Sequence, residues 1–190
     1  MGHRPNIESF LEHAKNNSMI PVFRQLTGDT LTPVSAYCKL SPDKWSFLFE
    51  SVVGGEKVGR YSFLGTDPFL RFSVKKKTVT IETRNPHHAG TFIKNISEHD
   101  DPISLLQEYI NKYRSPHIAG LPRFCGGAVG FTGYDTVRYV ENLPNIPKDD
   151  RNLPDLCFGF YDHMVIFDHI NKTIAVVVHA HITENDKEDS

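Results

Sequence analysis

The stretch from Trp45 to Ile81 constrains the fold most, because its apolar residues alternate with polar ones at a period close to two. β-Branched and aromatic side chains are frequent in it, and glycines and short polar groups interrupt it. This pattern is typical of half-buried β-strands joined by short turns. It predicts four consecutive strands at about 45–53, 58–65, 68–75 and 78–84, with a tight exposed turn at Lys75–Lys77.

Helical periodicity is confined to short segments outside this stretch. Ile7, Phe10, Leu11 and Ala14 follow the i, i+3, i+4, i+7 spacing of an amphipathic helix. Because helices do not alternate with strands, the predicted fold class is α+β, with mainly antiparallel sheets and a few peripheral helices. The remaining predicted elements are strands at 20–26, 124–131 (glycine-rich and buried), 156–168 and 173–182, helices over 33–40, 102–113 and 134–139, and a polar surface loop over 85–101.

Length, charge and cysteine content limit the classes of partner. A chain of 190 residues can bury the core of one large domain, and a net charge of −2 favours neither nucleic acid nor an anionic surface. No apolar run approaches the roughly 18 residues of a membrane span. The widely spaced Cys38, Cys125 and Cys157 indicate buried, reduced thiols and a cytoplasmic location. We expect one domain over residues 1–182, followed by a polar tail over 183–190.

Common catalytic and metal-binding motifs are missing from the sequence, which has no phosphate-binding loop, serine-hydrolase elbow or paired-cysteine motif. His179 and His181 have metal-ligand spacing, but no third ligand accompanies them, so we expect a chance pair on a solvent-facing sheet. Asp162 and His163 are neighbours in a predicted strand, and their side chains should point to opposite faces. The sequence therefore predicts no metal site and no catalytic residue.

The predicted hairpin around Gly54–Lys57 concentrates the groups that would hold a zwitterionic amino acid. The expected register places Glu50 opposite Tyr61 and Ser51 opposite Arg60, at Cβ separations of roughly 5 Å. Glu50 could bind an ammonium group and Arg60 a carboxylate, while a Glu/Arg pair at the surface of an ordinary hairpin remains the alternative. The complete candidate set, with hydroxyls and apolar walls, is Leu48, Phe49, Glu50, Ser51, Arg60, Tyr61 and Ser62.

Several spaced motifs resemble the N-terminal domain of anthranilate synthase component I. They are Leu-Phe-Glu-Ser at 48–51, Gly-Gly-Glu-Lys-x-Gly-Arg-Tyr-Ser-Phe-x-Gly at 54–65, Thr-Pro-Val-Ser-Ala-Tyr at 32–37 and Gly-Gly-Ala-Val-Gly-Phe-x-Gly-Tyr-Asp at 126–135. Their order along residues 20–182 makes the resemblance more specific than any single motif. It implies that the family's Leu-Leu-Glu-Ser motif for tryptophan feedback inhibition corresponds to residues 48–51, with Phe49 in place of a leucine.

The resemblance also implies the chemistry of a longer parent enzyme, a lyase of tryptophan biosynthesis. That enzyme converts chorismate and ammonia, supplied from glutamine by an amidotransferase partner (component II), into anthranilate and pyruvate. Its chorismate-binding and Mg²⁺-binding residues belong to a C-terminal half that we expect to be missing here, so this piece alone should be inactive. Two alternatives stay open: the same part of aminodeoxychorismate synthase component I from the folate pathway, and a non-catalytic amino-acid-binding module.

Overall fold

The computed structural model describes residues 2–40, 45–50 and 59–183. Contacts divide the chain into two compact units, one formed by residues 1–68, 112–127 and 161–190 and the other by residues 69–111 and 128–160. Each unit is built on a five-stranded sheet, and the strand pairs whose register is assigned are all antiparallel. The α+β class predicted from the sequence is therefore confirmed, whereas the single domain over 1–182 stays a prediction.

The elements follow the predicted order closely. The helices are α1 (Ile7–Ala14), α2 (Pro33–Lys39), α3 (Pro102–Lys112) and a 3₁₀ helix (Tyr134–Tyr139). The strands are β1 (Met19–Thr27), β2 (Phe47–Phe49), β3 (Tyr61–Gly65), β4 (Leu70–Lys75), β5 (Thr78–Arg84), β6 (Phe92–Glu98), β7 (Gly127–Thr132), β8 (Leu156–Tyr161), β9 (His163–Asp168) and β10 (Thr173–His181).

Local sequence explains where α1 and α2 begin. Asn6 caps α1 by accepting a hydrogen bond from the backbone N–H of Ser9 at 3.0 Å. Thr32 and Ser35 form a reciprocal capping box at the start of α2, and Pro33 occupies its first turn, where a missing N–H is tolerated. These short polar signals place both helices within one residue of their predicted starts.

The first unit has the strand order β1-β10-β9-β3-β2. One face of this sheet carries the fully buried Phe23, Met164, Ile166 and Val177. On the other face, α2 contributes Ala36 to a cluster completed by Leu64, Phe167 and Ile174, with Leu31, Tyr37, Leu48 and Val165 packed around it. The position of β2 and β3 is thus fixed by apolar contacts to α2.

The second unit has the strand order β6-β5-β4-β8-β7. Its core includes Leu70, Phe72 and Val74 of β4, and Tyr109 of α3 lies 5.9 Å from Phe72 between ring centroids. The turn predicted at Lys75–Lys77 joins β4 to β5, and Lys76 there has a positive φ of 55°.

Three predictions about strands were wrong. Residues 92–98, assigned to a loop, form the edge strand β6, because an exposed edge strand pairs through its backbone and needs few apolar side chains. Residues 156–168 form two strands in different sheets, since the chain bends at Asp162. Strand β7, expected to be buried, is half-buried at its start and exposed from Gly130 onwards.

Candidate functional site

Strands β2 and β3 pair antiparallel and carry four of the predicted ligand-binding residues. Leu48 and Phe49 lie on β2, Tyr61 and Ser62 lie on β3, and Glu50 and Arg60 directly follow β2 and precede β3. Phe49 pairs with Phe63 and Leu48 with Leu64. The predicted register was therefore wrong by one residue, because continuing the observed one would place Glu50 opposite Ser62 rather than Tyr61. A one-residue shift exchanges the two faces of a strand. Ser51 and the predicted turn at Gly54–Lys57 lie outside the described residues.

Arg60 is held by Asp168, the last residue of β9. Its Nη2 donates to Asp168 Oδ2 at 2.8 Å, and its Nε lies 3.3 Å from both carboxylate oxygens. The backbone carbonyl of Arg60 also accepts the N–H of His169 at 2.9 Å. A guanidinium has five N–H donors, so the Nη1 side of the fork remains available for a second carboxylate.

The same carboxylate organises the turn between β9 and β10. Asp168 accepts hydrogen bonds from the backbone N–H groups of Ile170 and Asn171, at 3.1 Å each, and from the Asn171 side chain at 2.9 Å. Burial alone would raise the pKa of Asp168, but the hydrogen bonds from Arg60, Asn171 and Ile170 outweigh it and hold that pKa below its ordinary value. The hydrogen bond to Asp168 in turn raises the pKa of Arg60.

Ser62 is completely buried and its hydroxyl is already used. Ser62 Oγ and His169 Nε2 share a hydrogen bond of 2.7 Å. A ligand would reach this hydroxyl only after local rearrangement. Asp168 and His169 thus hold two of the predicted binding residues, Arg60 just before β3 and Ser62 within it.

Aromatic rings cover one face of the hairpin. Phe49 is half exposed, and its ring centroid lies 5.0 Å from that of Phe47 and 6.4 Å from that of Phe124. Phe63 packs edge-on against Phe124 at 5.1 Å and lies 5.9 Å from Tyr61. Such offset and edge-on geometries are favourable for aromatic pairs, and an exposed ring at the border of the group can accept another flat apolar group.

Tyr61 and Leu48 occupy different environments. The Arg60 guanidinium lies 4.8 Å from the centroid of the Tyr61 ring, a cation–π arrangement. Leu48 belongs to the opposite face, where it packs on the cluster beneath α2. The hydroxyl groups of Tyr37 and Ser46 share a hydrogen bond of 2.7 Å that further ties α2 to the segment before β2. Glu50 is exposed to solvent.

Sequence reasoning missed Asp168, His169 and Phe124. Asp168 binds Arg60, and His169 binds Ser62. What the sequence did not supply was the pairing of β3 with β9, which sets Tyr61 opposite Asp168. Phe124 comes from a segment distant in sequence, so no local pattern could place it near Phe63.

The histidine predictions were wrong in two respects. His179 is 3% exposed rather than solvent-facing, and burial lowers its pKa. Asp162 Oδ1 lies 2.8 Å from His163 Nδ1 and its Oδ2 lies 3.2 Å from His181 Nε2, because Asp162 sits in the bend between β8 and β9 rather than in a regular strand. Gly126 packs directly against the His179 ring, where a Cβ would overlap it.

Metal ligands do not assemble in the part of the chain that the structure describes. Within residues 2–40, 45–50 and 59–183, no group of three or more His, Cys, Asp or Glu residues could hold a metal ion. These residues therefore do not fit the Mg²⁺ that the family resemblance implies for the longer enzyme.

Cys38 is exposed, contrary to expectation, whereas Cys125 is buried and its pKa is raised to about 11 by burial.

Among the described residues, no helix is both long and apolar enough to cross a membrane.

Comparison with known proteins defines the class of this chain. A family model described as chorismate binding enzyme matches residues 53–190, which is most of the chain. The chain therefore belongs to the chorismate binding enzyme family. Relatives that it resembles over most of its length are named anthranilate synthase component 1 or alpha subunit, so the resemblance to anthranilate synthase component I is confirmed.

Two of these relatives show the extent of the similarity. The chain is 35% identical over 181 residues to anthranilate synthase component 1 from Acetivibrio thermocellus, covering 95% of this chain and 35% of that protein. It is 40% identical over 182 residues to anthranilate synthase alpha subunit 2, chloroplastic, from Arabidopsis thaliana, covering 90% of this chain and 28% of that protein.

A solved structure gives the same result. The crystal structure of anthranilate synthase component I from Streptococcus pneumoniae TIGR4 matches with a TM-score of 0.50 and 29% sequence identity, covering 87% of this chain and 33% of that one. The chain thus spans about a third of the length of the relatives it matches.

Proposed function

We propose that this chain is the tryptophan-sensing part of an anthranilate synthase component I. The longer enzyme would convert chorismate and ammonia into anthranilate and pyruvate, with the ammonia delivered by a glutamine amidotransferase subunit. The single observation that carries the proposal is the 35% identity over 95% of this chain to an anthranilate synthase component 1. The residues for chorismate chemistry and Mg²⁺ would be supplied mainly by the remaining two thirds of the family's polypeptide.

The tryptophan site would lie where β2 ends and β3 begins, at Glu50 and Arg60. Arg60 would receive the ligand carboxylate on its Nη1 side while Asp168 keeps the Nε side, so that the guanidinium is already oriented before binding. Exposed Glu50 would receive the ammonium group. Together these groups match the two opposite charges of an amino-acid zwitterion.

The indole would pack against the exposed aromatic border of the hairpin. Phe49 is the half-exposed ring there, and Tyr61 lies beside Phe63 on the same face of the sheet. An indole ring packed against such rings buries a large apolar area and gains favourable edge-on or offset contacts. Ser51, from the residues that follow β2, and Ser62 belong to the same proposed set. The Ser62 hydroxyl is buried on the Leu64 face of β3, opposite the aromatic rings, so it would contact the polar part of the ligand rather than the indole, and only after release from His169.

Isothermal titration calorimetry with L-tryptophan would test this function. Glu50→Gln and Arg60→Ala should each weaken tryptophan binding by at least tenfold, because each removes one charge that pairs with the zwitterion. Glu12→Gln, an exposed glutamate on α1, serves as a matched control and should leave the affinity unchanged. Equal affinity in the wild type, the Glu50 variant and the Arg60 variant would refute the site.

Ligand controls separate recognition of tryptophan from recognition of any amino acid. L-Alanine keeps both charges and lacks the indole, while indole keeps the ring and lacks both charges. Both should bind at least tenfold more weakly than L-tryptophan if the hairpin recognises charges and ring together. Equal binding of L-alanine and L-tryptophan would instead favour a general amino-acid-binding module.

A further inference from the structure

Strand β6 of the second unit has one edge that no other described strand covers. The sheet order places β6 at its end, and among the strands that the structure describes β6 pairs only with β5. All but the first of its residues are exposed, and Ile93 and Ile96 are 46% and 63% exposed. A long edge strand with exposed apolar side chains can pair with another strand through its backbone.

The hydrogen bonds to β5 decide which backbone groups of β6 point outwards. The N–H of His99 donates to the carbonyl of Lys77 at 2.8 Å, and the N–H of Asn85 donates to the carbonyl of Thr91 at 2.9 Å. Because hydrogen-bonded pairs alternate along an antiparallel ladder, the odd-numbered residues of β6 bond to β5. The N–H and C=O groups of the even-numbered residues therefore point to the open edge.

The even-numbered side chains carry a pattern that is complementary to itself. Lys94, Ile96 and Glu98 lie on one face of β6, because alternate residues of a strand share a face. When two copies of β6 pair antiparallel about a two-fold axis at Ile96, each Lys94 lies opposite a Glu98 and the two Ile96 side chains meet. Side chains directly opposite each other have Cβ atoms about 5 Å apart, within reach of an ion pair and of an apolar contact.

We propose that β6 is a homodimerisation edge, at which a second copy of this chain pairs antiparallel about a two-fold axis at Ile96. The Ile96 pair and both pairs of Lys94 with Glu98 would each exchange two backbone hydrogen bonds. The two copies of the second unit's sheet would thereby join into one continuous sheet. Because both copies use the same edge, the assembly closes at a dimer. The pairing requires neither tryptophan nor the longer polypeptide of the family.

Charge selects both the occupant and the register. An axis at Lys94 or at Glu98 would set like charges opposite each other, and an axis at Asn95 or at Ser97 would set a charge opposite Ile96. A lysine on an edge strand ordinarily hinders pairing, but in the proposed register Glu98 neutralises it. A strand from a different polypeptide would match this pattern only by chance, whereas a second copy always supplies it.

Contacts within the second unit hold this edge in place before pairing. Thr78 Oγ1 donates to Glu98 Oε1 at 2.9 Å, and the Arg71 guanidinium lies 3.9 Å from the centroid of the Phe92 ring at the other end of the strand. The outward groups therefore belong to a strand that is already fixed at both ends, so pairing orders little additional chain.

Sedimentation velocity of the wild-type chain, from micromolar to millimolar concentration and without tryptophan, tests the dimer. The dimer fraction should rise with concentration. Lys94→Glu and Glu98→Lys should each weaken self-association at least tenfold, because each sets like charges opposite each other in both pairs. Lys148→Glu, at an exposed lysine of the second unit, is the matched control and should dimerise as the wild type does.

Mixing the two charge variants separates pairing across the axis from effects within one chain. Lys94→Glu makes the edge acidic and Glu98→Lys makes it basic, so the mixture should form a heterodimer at least tenfold more tightly than either variant associates alone. Ile96→Pro is an independent arm, because it removes an N–H that points outwards and does not bond to β5. It should abolish the dimer, and circular dichroism confirms that each variant is folded.

Amide hydrogen exchange locates the contact, because the amides of Lys94, Ile96 and Glu98 should become protected as the wild-type concentration rises. A monomer at every concentration, a dimer that both charge variants form as tightly as the wild type, or no gain on mixing them would overturn the proposal. So would an Ile96 amide that is protected only after the unmatched portion of the Acetivibrio thermocellus protein is added, because the edge would then belong to that polypeptide.

Discussion

Replacing Ser62 by alanine should destabilise the chain by a predictable amount. The Ser62 side chain is fully buried, and its hydroxyl shares a 2.7 Å hydrogen bond with His169 Nε2. Because His169 is only half-buried, its ring can regain water, so the loss is that of one net hydrogen bond, about 1 kcal/mol. His169→Ala should cost more, about 1–3 kcal/mol, because it leaves the buried hydroxyl without a partner.

The double variant separates the hydrogen bond from other effects. If the Ser62–His169 contact carries the effect, the two substitutions together should cost about 1 kcal/mol less than the sum of the single ones. Urea unfolding followed by circular dichroism measures each free energy, and each kcal/mol should shift the melting temperature by about 2–4 °C. Ser97→Ala, an exposed serine on β6, is the control and should change stability by less than about 0.5 kcal/mol. Additivity within about 0.3 kcal/mol would refute the coupling.

Three further predictions follow from individual environments. Because the pKa of Asp168 is lowered in the folded chain, its contribution to stability is present above the carboxyl pKa of the unfolded chain and is lost as pH falls below about 4. Urea unfolding between pH 6 and pH 3.5 should therefore show that Asp168→Asn loses less stability over this range than the wild type does. The same dependence of stability on pH in both chains would contradict this. Maleimide labelling of the native chain at pH 7.5, followed by peptide mass spectrometry, should modify exposed Cys38 well before buried Cys125, and equal rates would argue against the burial. Gly130→Ala should cost about 3 kcal/mol in urea unfolding, because its Cβ would overlap a backbone carbonyl of β8, whereas Gly133→Ala meets its nearest atom at 3.5 Å and should cost less than 1 kcal/mol.

Much of the fold could be predicted because local patterns determine it. The capping residues before α1 and α2 and the period-two stretch from β2 to β5 mark elements that form as expected. The prediction failed where backbone pairing rather than side-chain pattern decides the structure. Strand β6 is exposed along most of its length, Ile93 and Ile96 included, and it is a strand because its backbone pairs with β5. The bend at Asp162, which moves the chain from one sheet to the other, has no proline or glycine to announce it.

The candidate site could be predicted only in part for a related reason. The short motifs around Phe49 and Arg60 are visible in the sequence, but their register was wrong by one residue because the length and shape of the connecting turn cannot be derived from composition. Asp168 and His169 lie more than 100 positions after Arg60 and Ser62, and only the β3–β9 pairing brings them together. The residues that orient the proposed site therefore required the three-dimensional structure.

Chemical-shift mapping with L-tryptophan tests the central claim most directly. Two-dimensional ¹H–¹⁵N NMR spectra of the ¹⁵N-labelled chain, recorded during a tryptophan titration, report on every backbone amide at once. The proposed sensor predicts saturable shifts concentrated at Leu48–Glu50 and Arg60–Ser62, with smaller shifts in the turn that begins at Asp168. Saturable shifts confined to other parts of the chain, or none at millimolar tryptophan, would contradict the tryptophan-sensing role.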